Sequence, residues 1–107
     1  MRGQLLKGHL EFMILASVDA EPAHGYAVIQ ELKRRSAGAF DLPEGTVYPV
    51  LHRLERSGLL AGRWIVHERR RRCVYRLSAK GRRALAVHRE TWPKFSSAVT
   101  SVLEPAS

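Results

Sequence analysis

The chain has 107 residues, 45% of them hydrophobic, which is enough for one domain with a small core. Its 18 Lys and Arg against 10 Asp and Glu give a net charge of +8, which indicates a polyanionic partner. No apolar run approaches the roughly 20 residues of a membrane span, and polar residues interrupt the N-terminus too early for a signal sequence. The single cysteine, Cys73, cannot form an internal disulfide, so we expect a reducing cytoplasm.

The first predicted helix is apolar around much of its circumference. Such breadth indicates burial against more than one neighbour, so we expect it to join the core and, through Leu10 and Ile14, a dimer interface. Pro22 and Gly25 should end this segment in a turn. Its apolar residues are Leu5, Leu6, Leu10, Phe12, Met13, Ile14, Leu15 and Val18.

A second helix is predicted from about Gly25 to Ser36, with Gly38 as its stop. The inward residues are expected to be Tyr26, Ile29 and Leu32, and the outward ones Gln30, Lys33, Arg34 and Arg35.

The connection that follows has the length typical of a helix-turn-helix. We expect Asp41 to cap the next helix and Glu44 to reciprocate, with Phe40 and Leu42 filling the corner.

The third predicted helix begins near Glu44, and Gly58 closes it in a left-handed conformation. Val47, Leu51 and Leu54 recur at helical spacing and should form a buried stripe. An arginine on the outward face suits base contact, since arginine to guanine is the commonest such pairing; the alternative is a merely solvent-facing surface. The candidate DNA contacts on that face and its flanks are Thr46, Tyr48, Pro49, His52, Arg53 and Arg56.

A hairpin is predicted next, with Trp64 and Val66 in its first strand and Cys73 to Leu77 in its second. Between them lies a cationic run: Arg69, Arg70, Arg71 and Arg72. A short helix followed by a hairpin tipped with arginines is typical of a winged helix-turn-helix, whose helix enters the major groove while the wing lies along the backbone. We therefore expect this run to contact phosphates, and a solvated surface loop is the alternative. A basic amphipathic membrane binder would instead spread its charge along one helix.

The last helix is predicted from Ala79 to Leu103, with Ser78 as its cap and Pro93 causing a kink or local unwinding. Apolar and aromatic residues recur along it three and four apart, as in the seam of a coiled coil. A winged helix closes its own core without this seam, so we expect a second copy of the chain to cover it. The seam comprises Leu85, His88, Trp92, Phe95, Val99 and Val102.

Together these elements predict a mainly α, mixed α+β fold. Residues 1–78 should form a winged helix-turn-helix with a two-stranded wing, and residues 79–107 a dimerisation helix, all as one compact unit.

Several segments resemble the PadR family of bacterial transcriptional regulators. They are HGY at residues 24–26, GTVYPVLHRLERSGLL at 45–60, and VYRLS at 74–78 followed by Gly81. The resemblance implies a homodimeric winged-helix regulator of the short subgroup, usually a repressor. It also implies that Tyr48 touches DNA near the backbone and that a tryptophan at the position of Trp92 stacks on flat aromatic ligands at the dimer interface. The alternative for Trp92 is packing in the dimer core. The chain departs from the family pattern by having one aromatic in the second wing strand and no glycine at the wing tip.

Nothing in the sequence indicates an enzyme, since it has no phosphate-cradling glycine loop, no nucleophile elbow and no HExxH helix. Its five histidines lack zinc-ligand spacing, so no metal or cofactor is expected, and His88 should pack across the dimer interface. The predicted function is a homodimeric, ligand-responsive repressor of a palindromic operator. One alternative is a non-specific architectural protein that coats nucleic acid. The other is a ligand-binding or protein-interaction module that no longer reads DNA.

Overall fold

The computed structural model describes residues 8–106, which form a mixed α+β fold measuring 62 × 28 × 20 Å. The predicted Leu5 and Leu6 lie outside these residues. In chain order, the elements are α1 (Leu10–Asp19), β1 (Ala23–His24), α2 (Gly25–Arg35), α3 (Glu44–Arg56), β2 (Leu60–His67), β3 (Arg70–Leu77) and α4 (Ala79–Leu103). No helix among the described residues has both the length and the apolar character to cross a bilayer.

The core lies where the first three helices meet the base of the sheet and the start of α4. The predicted stripe of α3 is confirmed, because Val47, Leu51 and Leu54 are at most 1% exposed. Ile14 in α1 is completely buried and Leu10 is 8% exposed, within the chain's own core. The other core residues are Leu15, Val18, Val28, Ile29, Leu32, Val50, Leu60, Tyr75, Leu77 and Leu85.

The second helix lies where it was predicted, but the prediction that Tyr26 faces inward is wrong. Tyr26 is 54% exposed, and Val28 fills the core in its place. Because successive helical residues are about 100° apart, Tyr26 lies beside the buried stripe and not within it. Gly38 ends the segment as predicted, with a φ of 87° and its N–H bonded to the Lys33 carbonyl at 2.8 Å.

The predicted Asp41 cap of α3 is wrong. Pro43 occupies the cap position without any side-chain hydrogen bond, because the helix begins at Glu44 and leaves Asp41 beyond reach of its amides. The Asp41 carboxylate lies 3.6 Å from the Lys33 ammonium instead. Leu42 packs against the core and Phe40 is half-buried, as expected for the corner. The left-handed stop at Gly58 is confirmed by its φ of 80°.

The sheet has three antiparallel strands in the order β1-β3-β2: β2 and β3 form the predicted two-stranded wing, and β1 is an additional strand that the sequence did not predict. Ala23 pairs with Tyr75 and His24 with Val74. The hairpin of β2 and β3, called the wing below, turns at Glu68 and Arg69. Consequently Arg70, Arg71 and Arg72 lie along β3, and the prediction that all four arginines form the tip is wrong.

The fourth helix has its predicted bounds and cap. The Ser78 hydroxyl accepts from the Gly81 N–H at 3.0 Å, and the helix passes through Pro93 without a break, so the predicted unwinding is absent. The start of α4 packs against α1 and β3, where Leu85 is buried. Beyond Leu85 no residue of α4 is fully buried.

Candidate nucleic-acid interface

An open cleft of about 530 Å³ separates the wing from the start of α2 and the outward face of α3. We call it the wing cleft. It brings together two predicted residues of α3, Tyr48 and His52, and three predicted residues of the wing. The predicted contacts Thr46, Pro49, Arg53, Arg56 and Arg69 do not line it. Its full lining is His24, Gly25, Tyr26, Glu44, Tyr48, His52, Trp64, Arg70, Arg71, Arg72, Cys73 and Tyr75.

The outward face of α3 is accessible along its whole length. Thr46, Pro49, His52, Arg53 and Arg56 are all exposed, while Tyr48 is half-buried. Val47, Val50, Leu51 and Leu54 hold the opposite side of the helix in the core, so this face can meet a partner without disturbing the fold.

Tyr48 leans across the start of α2. A Cβ added at Gly25 would lie 2.6 Å from the Tyr48 ring, so this approach requires a residue without a side chain. The planes of the Tyr48 and His52 rings lie at 61° to each other, with the ring centroids 6.4 Å apart. The glycine of the HGY segment therefore sets how closely the two helices of the helix-turn-helix can pack.

Arg53 is held by an acid that the sequence analysis did not connect with it. Its Nε lies 2.9 Å from a carboxylate oxygen of Glu11 in α1. The two residues are 42 positions apart, so no local spacing pattern could have indicated the pair. This contact turns the guanidinium towards α1, at the edge of the outward face.

The wing arginines differ from Arg53, because Arg69 to Arg72 take part in none of the ion pairs of residues 8–106. The Arg71 guanidinium lies 5.0 Å from the centre of the Trp64 ring, a cation–π contact on a tryptophan that is 62% exposed. In α2, by contrast, Glu31 pairs with both Arg34 and Arg35, which lowers the pKa of the Glu31 carboxyl to about 2. The wing thus presents guanidinium groups that form no ion pair with a carboxylate of the described residues.

His24 is a second residue whose role the sequence did not reveal beyond the family resemblance. Its Nδ1 accepts from the Ala27 N–H at 3.3 Å and caps α2, while its Nε2 lies 3.2 Å from the Arg72 guanidinium. Burial, then Arg72, then His67 lower the pKa of its imidazole. In the sequence, the local sign of this cap is that His24, a polar residue, stands immediately before the glycine that begins α2.

The end of α3 is tied directly to the start of α4. The Ser78 hydroxyl donates to the Gly58 carbonyl at 2.5 Å, and the Lys80 ammonium donates to the Ser57 carbonyl at 2.8 Å. A Cβ at Gly81 would collide with the Leu59 carbonyl, so the two elements touch without a side chain between them. A displacement of α4 would therefore also displace the end of α3.

The predicted seam on α4 is largely exposed beyond its first residue. Trp92 and Val99 are 40% exposed, Phe95 60% and Val102 82%. Leu10, Ile14 and Leu85, which the sequence analysis had assigned to the interface, are buried in the core and offer almost no surface to a partner.

An aromatic cluster joins α1 to this seam. Phe12 stacks on His88 with ring centroids 3.8 Å apart, and His9 meets Trp92 edge-on at 4.8 Å. Burial, then the neighbouring His9, lower the pKa of His88.

Comparison with known proteins assigns this architecture to a family. A family model described as "Transcriptional regulator PadR-like family" matches residues 14–87. "Transcriptional regulator Rv3488" of Mycobacterium tuberculosis is 44% identical over 66 residues, covering 62% of this chain and 59% of that protein.

Solved structures extend the similarity over most of the chain. A PadR family transcriptional regulator from Eggerthella lenta is 31% identical with a TM-score of 0.84, covering 96% of this chain and 88% of that one. A PadR-like transcription factor from Bacteroides fragilis is 32% identical with a TM-score of 0.78, covering 92% of this chain and 94% of that one.

Proposed function

This chain belongs to the transcriptional regulator PadR-like family, and we propose that it acts as a homodimeric, ligand-responsive repressor on a palindromic operator. Members of this family regulate transcription and are not enzymes, which excludes the catalytic alternative. In this proposal the protein works on DNA in the cytoplasm, and residues 79–107 supply the dimerisation helix.

For DNA contact, we propose that the outward face of α3 enters the major groove and the wing follows the backbone. The exposure of Thr46, Pro49, His52, Arg53 and Arg56 supports the first part. Arg69 to Arg72, none of them in an ion pair with an acid of residues 8–106, support the second part, because guanidinium groups not bound by carboxylates are available to phosphates. The half-buried Tyr48 would touch the edge of the groove.

The exposed seam of α4 is the observation that carries the homodimer. Trp92, Phe95, Val99 and Val102 form a continuous apolar stripe on one side of a 25-residue helix, and such stripes on soluble regulators mark protein interfaces. A second copy of α4 offers the same stripe, and two-fold pairing is the commonest closed arrangement. Two outward faces would then meet two half-sites about one helical turn, roughly 34–36 Å, apart.

The same seam supports ligand response. Phe12, His88 and Trp92 with its neighbour Phe95 gather flat rings where α1 meets α4, and a flat aromatic molecule could stack among them. Such a ligand would release DNA by favouring a dimer geometry whose two α3 helices no longer match the half-sites.

Selection of bound duplexes from a random pool, followed by anisotropy titration, tests this function. We expect enrichment of a palindrome, bound about a thousandfold more tightly than random duplex at the same salt concentration. The net charge of +8 favours the alternative of a non-specific architectural protein. That alternative predicts that no sequence is enriched and that palindromic and random duplexes bind equally well. A protein that binds neither duplex at moderate salt would support the interaction-module alternative.

A further inference from the structure

His24 faces two hydrogen-bond donors at once. Its Nδ1 is 3.3 Å from the Ala27 amide nitrogen and its Nε2 is 3.2 Å from a guanidinium nitrogen of Arg72. A neutral imidazole has one acceptor nitrogen and one N–H, so it cannot accept from both neighbours, and the protonated ring could accept from neither. In the free protein, one donor is therefore aimed at another donor.

The helix cap determines which nitrogen carries the hydrogen. The Ala27 amide lies in the first turn of α2, where amides have no partner within the helix, whereas a half-exposed guanidinium can turn towards water. Nδ1 therefore accepts from Ala27, and the hydrogen sits on Nε2, pointing at Arg72. The Nε2–H of His24 and the guanidinium of Arg72 are therefore two N–H donors that converge on the wall of the wing cleft.

We propose that His24 and Arg72 together bind one phosphate oxygen of the DNA backbone. This inference rests on the proposed function, because it adds a site to the DNA interface. An anionic oxygen between the two groups would accept from the Nε2–H and from the guanidinium, and so would satisfy both donors. Glu44 is the acid that lines the wing cleft, and it forms no ion pair with Arg72, so no described carboxylate fills this role.

The electrostatic surroundings of His24 agree with this arrangement. Burial and then the charge of Arg72 lower the pKa of the ring, which favours the neutral form that caps α2 through Nδ1 and donates from Nε2. His24 also belongs to β1, where it pairs with Val74 next to the wing arginines. One phosphate held here would thus fix the position of the wing relative to α2 and, through the Gly25–Tyr48 contact, relative to α3.

Two variants separate the phosphate contact from the helix cap. His24→Asn keeps a side chain that caps helices well but is too short to place a donor beside Arg72. Arg72→Ala leaves the cap unchanged and removes the other donor. Arg63→Ala is the matched control, because Arg63 is an exposed wing arginine that does not line the wing cleft.

The experiment replaces single phosphates of the selected duplex with neutral methylphosphonates and measures Kd at each position. For the wild-type protein, one position per half-site should weaken binding about tenfold. His24→Asn and Arg72→Ala should each bind the unmodified duplex about tenfold more weakly than the wild type. A methylphosphonate at that position should cause no further loss of affinity in either variant. Arg63→Ala should remain as sensitive there as the wild type.

The outcomes distinguish this inference from the proposed function. If both variants respond to every methylphosphonate as the wild type does, the His24–Arg72 site is wrong although the protein still binds DNA. If the wild type enriches no duplex, the proposed function itself fails. Thermal unfolding checks the fold of His24→Asn, and should that variant unfold, Arg72→Ala carries the test because it does not touch the cap.

Discussion

Arg53 and Arg71 are held by different partners in the free protein, and this difference predicts different roles on DNA. Arg53 lies against the Glu11 carboxylate and Arg71 over the Trp64 ring. A surface ion pair contributes only about 0–1 kcal/mol, so DNA can displace Glu11 easily. The Trp64 ring, in contrast, holds the Arg71 guanidinium without neutralising it, which leaves its charge available to phosphates.

We expect Arg71→Ala to weaken binding to specific and random duplexes alike and to reduce the salt dependence by about one phosphate contact. Arg53→Ala should instead relax discrimination at one base pair, costing about 1–3 kcal/mol there. Anisotropy titrations across a salt series, on both duplexes, measure the two effects. Glu11→Gln is the control, since releasing Arg53 should raise affinity no more than about fivefold. Equal losses for both arginine variants on both duplexes would contradict this division.

His24 predicts how stability responds to pH. Its pKa is lowered in the folded state from the usual 6.5, so the unfolded chain binds the proton more readily. The stabilisation from the neutral ring is complete well above pH 6.5 and is lost as the pH falls through that value towards the folded pKa. The groups facing His24 are Arg72 and His67 on the wing, with Glu44 lining the same cleft.

Urea unfolding between pH 7.5 and 5.0 should therefore show stability falling in the acid range, more steeply for the wild type than for His24→Asn. His88, whose pKa is lowered by burial and His9, adds a fall in the same direction that both proteins share. Identical slopes for the two proteins would show that His24 titrates alike in the folded and unfolded chains.

At the scale of elements, the wing turn is built from unsuitable residues. Glu68 and Arg69 have φ values of 51° and 65°, a left-handed pair that two-residue hairpins usually fill with Asn and Gly. Left-handed geometry costs a residue with an ordinary side chain roughly 1–2 kcal/mol. The lack of a glycine at the wing tip therefore has a structural consequence at this turn.

Glu68→Asn should stabilise the domain by about 1 kcal/mol, because asparagine tolerates the left-handed region and the change leaves Arg69 in place. For a domain of this size that corresponds to a rise in Tm of about 4–8 °C. Differential scanning calorimetry measures it. Glu68→Val is the control and should lower Tm, since a β-branched residue tolerates positive φ poorly. An unchanged Tm in both variants would mean that the turn relaxes without cost.

Long elements were predictable from the sequence and short or distant contacts were not. The stripes of α3 and the seam of α4 repeat over several turns, so periodicity located both helices to within a residue or two. The two residues of β1 carry no period, and their pairing with Tyr75 and Val74 depends on chain packing. The Glu11–Arg53 pair and the His24–Arg72 contact join residues 42 and 48 positions apart, so only the folded chain brings these charges together.

For the whole molecule, the central question is how the seam of α4 communicates with DNA. Ser78 and Lys80 fasten the start of α4 to the end of α3, and Arg89 joins α4 to Asp19 of α1 at 3.0 Å. These contacts connect α4 to the end of α3, so in our proposal a rearrangement at the seam would reach the outward face of α3 through the hydrogen-bonded carbonyls of Ser57 and Gly58. The ligand response that we propose would use this link, through a shift between two dimer geometries.

The dimer itself can be tested by placing charge on the seam. Phe95→Glu combined with Val99→Glu would bury two carboxylates in each half of the proposed interface, a cost that should leave the protein monomeric at micromolar concentration. Light scattering after gel filtration measures the mass. Two linked half-site contacts raise the affinity by about a hundredfold or more over one contact, so the affinity for the selected palindrome should fall by that factor. Binding to a single half-site should change little.

Val87→Glu is the matched control for this variant. Val87 is 61% exposed on the same helix but about 100° round from the seam, so its charge would face water in monomer and dimer alike. It should leave both the mass and the affinity for the palindrome unchanged. A Phe95→Glu/Val99→Glu protein that still has the mass of a dimer would place the interface elsewhere. One that is monomeric yet binds the palindrome at full strength would show that a single outward face and a single wing are sufficient for recognition.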